Sequence, residues 1–71
     1  MSKIIVSPTG RTKTTTTQRR YVVAVDSPSY PDGIRIIARS DSLATANDKR
    51  RRAARDIANT FIFDTTNKVW A

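Results

Sequence analysis

Tyr21-Val22-Val23-Ala24-Val25 is the longest unbroken apolar run in this chain of 71 residues. In an extended backbone, alternate side chains point to opposite faces. The run therefore places Tyr21, Val23 and Val25 on one face and Val22 and Ala24 on the other. β-branched residues dominate, which is typical of a strand. Because both faces are apolar, the run predicts a strand in the middle of a sheet.

A second strand is predicted over residues 34–39. Its buried face would carry Ile34, Ile36 and Ala38, and its basic face Arg35, Ile37 and Arg39. The residues between the two strands are rich in turn formers, and Pro31-Asp32-Gly33 suits a type I turn that ends in a glycine with positive φ. We therefore expect an antiparallel hairpin with a long loop that exposes Tyr30.

A helix is predicted to follow, because Ser40-Asp41-Ser42 offers side-chain oxygens that can cap a helix N-terminus. Alanines and long side chains continue to Asn59. At about 100° per residue, apolar side chains gather on one face, as an amphipathic helix requires. That face would consist of Leu43, Ala46, Ala53, Ala54, Ile57, Ala58 and Phe61.

Both ends of the chain also carry strand signals. Residues 60–64 and 68–70 flank an Asn-bearing turn and predict a C-terminal hairpin. Near the N-terminus, residues 3–7 predict a strand stopped by Pro8-Thr9-Gly10. Residues 8–19 include four consecutive threonines and no buried-core pattern, so they are interpreted as a mobile basic loop or arm, with a twisted edge strand as the alternative.

Together these elements predict one α+β domain over residues 1–71. A small antiparallel sheet of three or more strands would pack on one α-helix, with a short hairpin at the C-terminus. The apolar run of five residues is far shorter than the roughly 20 residues of a membrane span. We therefore expect a cytoplasmic protein without a membrane partner.

The composition argues against an enzyme. The chain contains no His, Cys or Glu, so it has no ready proton shuttle near neutral pH, no thiolate and no imidazole or thiolate metal ligand. The hydroxyls beside Asp41 are interpreted as helix caps rather than nucleophiles. We expect no catalytic residues, no metal site and no cofactor. The oligomeric state is left open.

Positive charge is concentrated in two blocks of the sequence. The net charge is +7, and residues 1–20 contain five basic side chains and no acidic one. Residues 49–55 contain five more, in the run KRRRAAR. Guanidinium groups repeated about one helical turn apart can bind phosphates or carboxylates, although a solvated helix face is the simpler alternative. The candidate binding residues here are Lys49, Arg51, Arg52 and Arg55.

A second basic surface is predicted on the sheet face away from the helix. It would contain Arg19, Arg20, Arg35 and Arg39. A sheet backed by one helix resembles, in fold only, some DNA readers that insert strands into a groove. If the ligand were single-stranded, Tyr21, Tyr30 and Trp70 could stack on bases, although Tyr21 and Trp70 are better explained as packing residues.

Two hypotheses about function remain. The first is a non-enzymatic nucleic-acid-binding protein of the size common among phage and mobile-element genes, with DNA favoured and a role in transcription regulation. The second is an interaction module that docks on an acidic protein surface, such as a phage-type modulator or inhibitor of host RNA polymerase. Under the second, partner contacts would come from Tyr30 and from an edge strand containing Ile4, Ile5 and Val6.

Overall fold

A computed structural model of the chain describes residues 2–71, which form one helix and six strands in two antiparallel sheets. The fold is therefore α+β, as predicted. The elements in chain order are β1 Ser2–Val6, β2 Thr12–Thr16, β3 Tyr21–Asp26, β4 Ile34–Ser40, α1 Leu43–Ala53, β5 Thr60–Asp64 and β6 Val69–Trp70.

The apolar strand β3 lies inside the larger sheet, whose strand order is β4-β3-β5-β6. Its central position, its hairpin with β4 and the C-terminal hairpin of β5 and β6 are as predicted. Gly33 has a φ of +77° at the end of the β3–β4 loop, as the Pro-Asp-Gly turn required. Tyr30 in this loop is exposed.

Separate apolar cores form on the two faces of this sheet. On one face, α1 places the fully buried Ala46 against β3 and β5. On the other face, the β1–β2 hairpin covers the sheet, and Ile5 is its fully buried contact. The first core contains Tyr21, Val23, Ala46 and Ile62, and the second contains Ile5, Val22, Ala24, Ile34, Phe61 and Phe63.

A β-bulge in β4 changes the predicted faces of that strand. Val23 pairs with Ala38, whereas the next residue of β3, Ala24, pairs with Ile36, so Ile37 is the extra residue. As a result Ile37 and Ala38 both pack on the helix-side core, and Ile36 packs on the opposite core. The simple alternation expected for residues 34–39 is therefore wrong beyond Ile36.

Helix α1 begins as predicted but is shorter than expected. The Ser42 hydroxyl accepts a hydrogen bond from the Thr45 backbone N–H, so Ser42 is the N-cap. The helix ends at Ala53 instead of continuing to Asn59, and Asn59 adopts a left-handed φ of 65°. The chain turns there because β5 must begin at Thr60 to pair with β3.

The predicted apolar face of the helix is consequently wrong at its C-terminal end. Ile57 and Ala58 lie in the connection between α1 and β5, and Phe61 lies within β5. Phe61 is buried in the core on the opposite side of the sheet from the helix. Its sequence position fits a helical period and a strand period equally well, and pairing with β3 decides between them.

The threonine-rich segment forms β2 rather than a loop or arm. Residues 12–16 pair with residues 2–6 of β1 in a regular antiparallel register. Thr15 is buried while Thr14 and Thr16 are exposed, which is the alternation of a strand. Threonine is β-branched and fits the pleated surface, but a run of identical residues does not show which members are buried.

We expect Ile5→Ala to lower the free energy of unfolding by about 3 kcal/mol, because it removes the fully buried contact of the hairpin with the sheet. The matched control is Ile4→Ala, since the neighbouring Ile4 is 60% exposed and its loss should change stability by less than about 0.5 kcal/mol. Urea unfolding measures both. Equal effects of the two substitutions would contradict the hairpin orientation.

Candidate functional site

The basic helix surface consists of Lys49, Arg51, Arg52 and Arg55, all of which are exposed. The first three lie on the last turns of α1, and Arg55 lies in the turn that follows. Cations at a helix C-terminus interact favourably with the helix dipole, which contributes to their placement. All four residues predicted for this surface are therefore exposed, at the C-terminal end of α1 and in the turn that follows it.

One carboxylate lies close to the basic helix surface. Asp48 Oδ2 is 3.2 Å from Arg52 Nη2, and both side chains are largely in solvent. Such an exposed pair contributes little to stability. Among residues 2–71, Lys49, Arg51 and Arg55 form no ion pair, so their charge is available to a ligand.

Arg19 and Arg20 instead form ion pairs within the protein. Arg19 Nη1 lies 2.8 Å from Asp41 Oδ2, and the Arg20 backbone N–H donates to Asp41 Oδ1. The hydrogen bond from Arg19 is the main reason why the pKa of Asp41 is lowered. These contacts attach the β2–β3 connection to the segment just before α1, so both arginines have a structural role.

Asp64 accepts more hydrogen bonds than any other carboxylate of the described residues. Its carboxylate is almost fully buried and accepts Arg20 Nε at 3.1 Å and Arg20 Nη2 at 2.9 Å. It also accepts the backbone N–H groups of Thr66 and Asn67 and the Asn67 side-chain amide. The Arg20 hydrogen bonds, followed by those from the Asn67 and Thr66 backbone, outweigh burial and hold the pKa of Asp64 at about 2.

Arg35 and Arg39 lie on opposite faces of the sheet because of the bulge at Ile37. Arg39 pairs with Val22 on the hairpin side, where its Nη2 donates to Thr15 Oγ1 at 3.4 Å. Arg35 pairs with Val25, whose side chain alternates onto the helix side. The predicted second basic surface is therefore wrong, since the β1–β2 hairpin covers the sheet face away from the helix and Arg35 and Arg39 lie on opposite faces.

The distribution of acidic partners explains where free positive charge remains. Of thirteen Lys and Arg residues, four form ion pairs within residues 2–71. Their partners are Asp32, Asp41, Asp48 and Asp64. The other nine cations have no ion-pair partner in this part of the chain. Four of them are close together in sequence, namely Lys49, Arg50, Arg51 and Arg55, and all but the half-buried Arg50 are exposed.

The predicted partner-contact residues differ in exposure. Ile4 is exposed, Ile5 is fully buried and Val6 is half-buried, so Ile5 is a core residue. Tyr30 is exposed, whereas Tyr21 is buried and cannot stack on a base without rearrangement. Val69, which the sequence did not indicate, and Trp70, which was interpreted as a packing residue, are both about half exposed. Their position in a two-residue edge strand at the chain end was the available signal.

No protein-family model, no curated protein and no solved structure matches this chain. Within residues 2–71, the carboxylates do not gather into a group of three that could hold a metal ion. The single helix of this part of the chain is too short and too polar to cross a membrane.

We expect the thermal midpoint to fall as the pH drops from about 4 to about 2. The pKa of Asp64 is about 2 in the folded protein against an ordinary value of 3.8. In this window the unfolded chain takes up the proton first, so acid favours unfolding, whereas above about pH 4 Asp64 is ionised in both states.

Asp64→Asn should lower the thermal midpoint at pH 7 and lose part of this acid dependence. The rest should persist because hydrogen bonds from Lys13 and Arg19 also lower the pKa values of Asp32 and Asp41. Asp56→Asn is the control, since Asp56 is exposed and forms no ion pair in the described chain. If the thermal midpoint of Asp64→Asn fell with acid as much as that of the wild type, the role of this carboxylate would be contradicted.

Proposed function

We propose that this protein binds nucleic acid, with duplex DNA as the favoured ligand, through the basic helix surface. The observation that carries the proposal is the clustering of Lys49, Arg51 and Arg55, exposed and without an acidic partner in the described chain. Guanidinium groups bind phosphate oxygens through paired hydrogen bonds, and several phosphates are needed for useful affinity.

The shape of α1 supports contact with a duplex. Eleven residues give a helix about 16 Å long, and the major groove of B-DNA is about 12 Å wide and admits one helix. The first turn presents the small, exposed side chains of Ala44 and Thr45, which allow close approach. Arg51, Arg52 and Arg55 would then contact the phosphates beside the groove.

The local chemistry favours nucleic acid over an acidic protein surface at this site. Protein interfaces concentrate their binding energy in buried aromatic and arginine anchors. The exposed part of α1 offers Leu43 as its only large apolar side chain within the described residues. The other exposed apolar groups lie in β1, β6 and the β3–β4 loop. A non-enzymatic role in transcription regulation is the function we infer for such a DNA contact.

Binding to duplex DNA should depend steeply on salt. If four cations each contact a phosphate, affinity should fall roughly 100-fold between 50 and 200 mM salt through counterion release. Fluorescence anisotropy with a labelled duplex measures this slope. No binding at 50 mM salt, or affinity that is independent of salt, would refute the proposal.

Two matched double variants distinguish DNA binding through the basic helix surface from attraction by net charge alone. Arg51→Gln with Arg55→Gln should lower the salt slope by about two and weaken binding. Arg11→Gln with Arg35→Gln removes the same charge from exposed cations elsewhere that also lack ion pairs in residues 2–71, and should change binding much less. Equal losses in the two variants would show that net charge alone attracts DNA.

Asp48→Asn should strengthen DNA binding. The substitution removes the carboxylate that lies 3.2 Å from the Arg52 guanidinium and would repel a phosphate. It also frees Arg52 for the ligand, while the exposed ion pair that is lost contributes at most about 1 kcal/mol to folding. The same anisotropy titration tests this, and weaker binding than wild type would place the DNA on another surface.

A further inference from the structure

A cleft with mixed apolar and basic lining runs between β1 and the β5–β6 hairpin. Its larger part has a volume of about 450 Å³ and is lined by Lys3, Ile4, Val6, Phe63 and Lys68, among others. A smaller part of about 210 Å³ shares Val6, Phe63 and Lys68 and extends to Val69 and Trp70. We call the two parts together the edge cleft.

The backbone of β1 presents one edge of its strand to the edge cleft. Within the described chain, β1 pairs with β2 alone. The Ser7 N–H donates to Arg11 C=O on the β2 side. By the alternation of an antiparallel ladder, the N–H and C=O groups of Ile4 and Val6 point to the other edge.

Trp70 shows that this edge accepts hydrogen bonds from the side of the edge cleft. Its indole Nε1–H donates to Val6 C=O at 2.7 Å. The alternation leaves the N–H and C=O of Ile4 beside the larger part of the cleft, with no strand on that side in residues 2–71. An extended peptide placed there can pair with Ile4 as an added strand.

The charge of the lining selects the kind of peptide. Lys3 Nζ donates to Thr65 Oγ1 at 3.3 Å, and neither Lys3 nor Lys68 forms an ion pair within the described residues. The residues that line the edge cleft include no carboxylate. A second copy of this chain is disfavoured, because it would bring these lysines together and each copy carries a net charge of +7.

We propose that the edge cleft binds an extended acidic segment of a partner protein, which adds a strand to the free edge of β1. Side chains of that segment on the sheet side would be acidic and pair with Lys3 and Lys68, and the alternate side chains would be apolar and contact the exposed Ile4. The site is separate from the basic helix surface, since no α1 residue lines it.

The test uses a labelled peptide of about five residues, matched to the five residues of β1, with alternating Glu and Val. The control peptide replaces each Glu by Lys. We expect the Glu peptide to bind in an anisotropy titration and to shift the amide NMR signals of Ile4 and Val6. Equal affinity for the two peptides, or shifts confined to α1 or β4, would overturn the proposal.

Protein variants separate the edge cleft from general attraction of an acidic peptide. Lys3→Gln with Lys68→Gly should weaken the Glu peptide about tenfold, as two partly exposed ion pairs allow. Lys68 has a φ of 58°, so glycine there relieves backbone strain and the fold should survive. Arg51→Gln with Arg55→Gln should leave peptide affinity within about twofold. The reverse order of effects would assign the peptide to the basic helix surface and refute the proposal.

Ile4→Pro tests the added strand itself. Proline removes the N–H that points to the edge cleft, whereas the bonds of Lys3 and Ile5 to β2 are retained. We expect loss of peptide binding with the circular dichroism spectrum unchanged. If this variant does not fold, a peptide with N-methylated valines makes the same test on the wild-type protein, and undiminished binding of that peptide would overturn the proposal.

Discussion

The two-sided burial of β3 is the constraint on which the rest of the structure depends. Five consecutive residues of this strand are buried, so each face must be covered by a different element. Helix α1 covers one face, but Ala46 is its single buried residue. The β1–β2 hairpin covers the other face and contributes the fully buried Ile5. A short polar helix and a hairpin thus bury the two faces of β3 in two separate cores.

The acidic residues determine which cations are left for binding. Asp32, Asp41 and Asp64 pair with Lys13, Arg19 and Arg20, and in each case the pair joins segments that are far apart in sequence. These carboxylates therefore fix connections around the sheet. The helix has no comparable supply of acids beyond Asp48, so its C-terminal half retains its positive charge. The cations available to phosphates are therefore those that the aspartates do not pair with.

Local sequence patterns predict the elements of this fold whose apolar residues follow a single periodicity, that of a strand or that of a helix. β3, the loop with Tyr30 and the C-terminal hairpin follow from strand alternation and turn residues, and Ser42 follows from capping chemistry. The bulge at Ile37 cannot be read locally, because Ile36 and Ile37 are identical side chains. The sheet face on which Phe61 is buried and the pairing of Arg20 with Asp64 depend on contacts between residues distant in sequence, which periodicity does not show. The exposure of Lys49, Arg51, Arg52 and Arg55 agrees with the local helix pattern, whereas the faces of Arg35 and Arg39 depend on the bulge.

The layered architecture separates the two surfaces that we assign to ligands. The basic helix surface lies on the α1 side of the sheet, and the edge cleft lies beside the hairpin on the other side. Under our proposals, occupation of one leaves the other open, and the two should respond differently to salt. Phosphate contacts on exposed arginines are weakened by counterions, whereas strand pairing and apolar contact in the cleft are much less screened. If both proposals hold, the two-sided covering of β3 lets a chain of 71 residues bind a nucleic acid and an acidic partner segment at the same time.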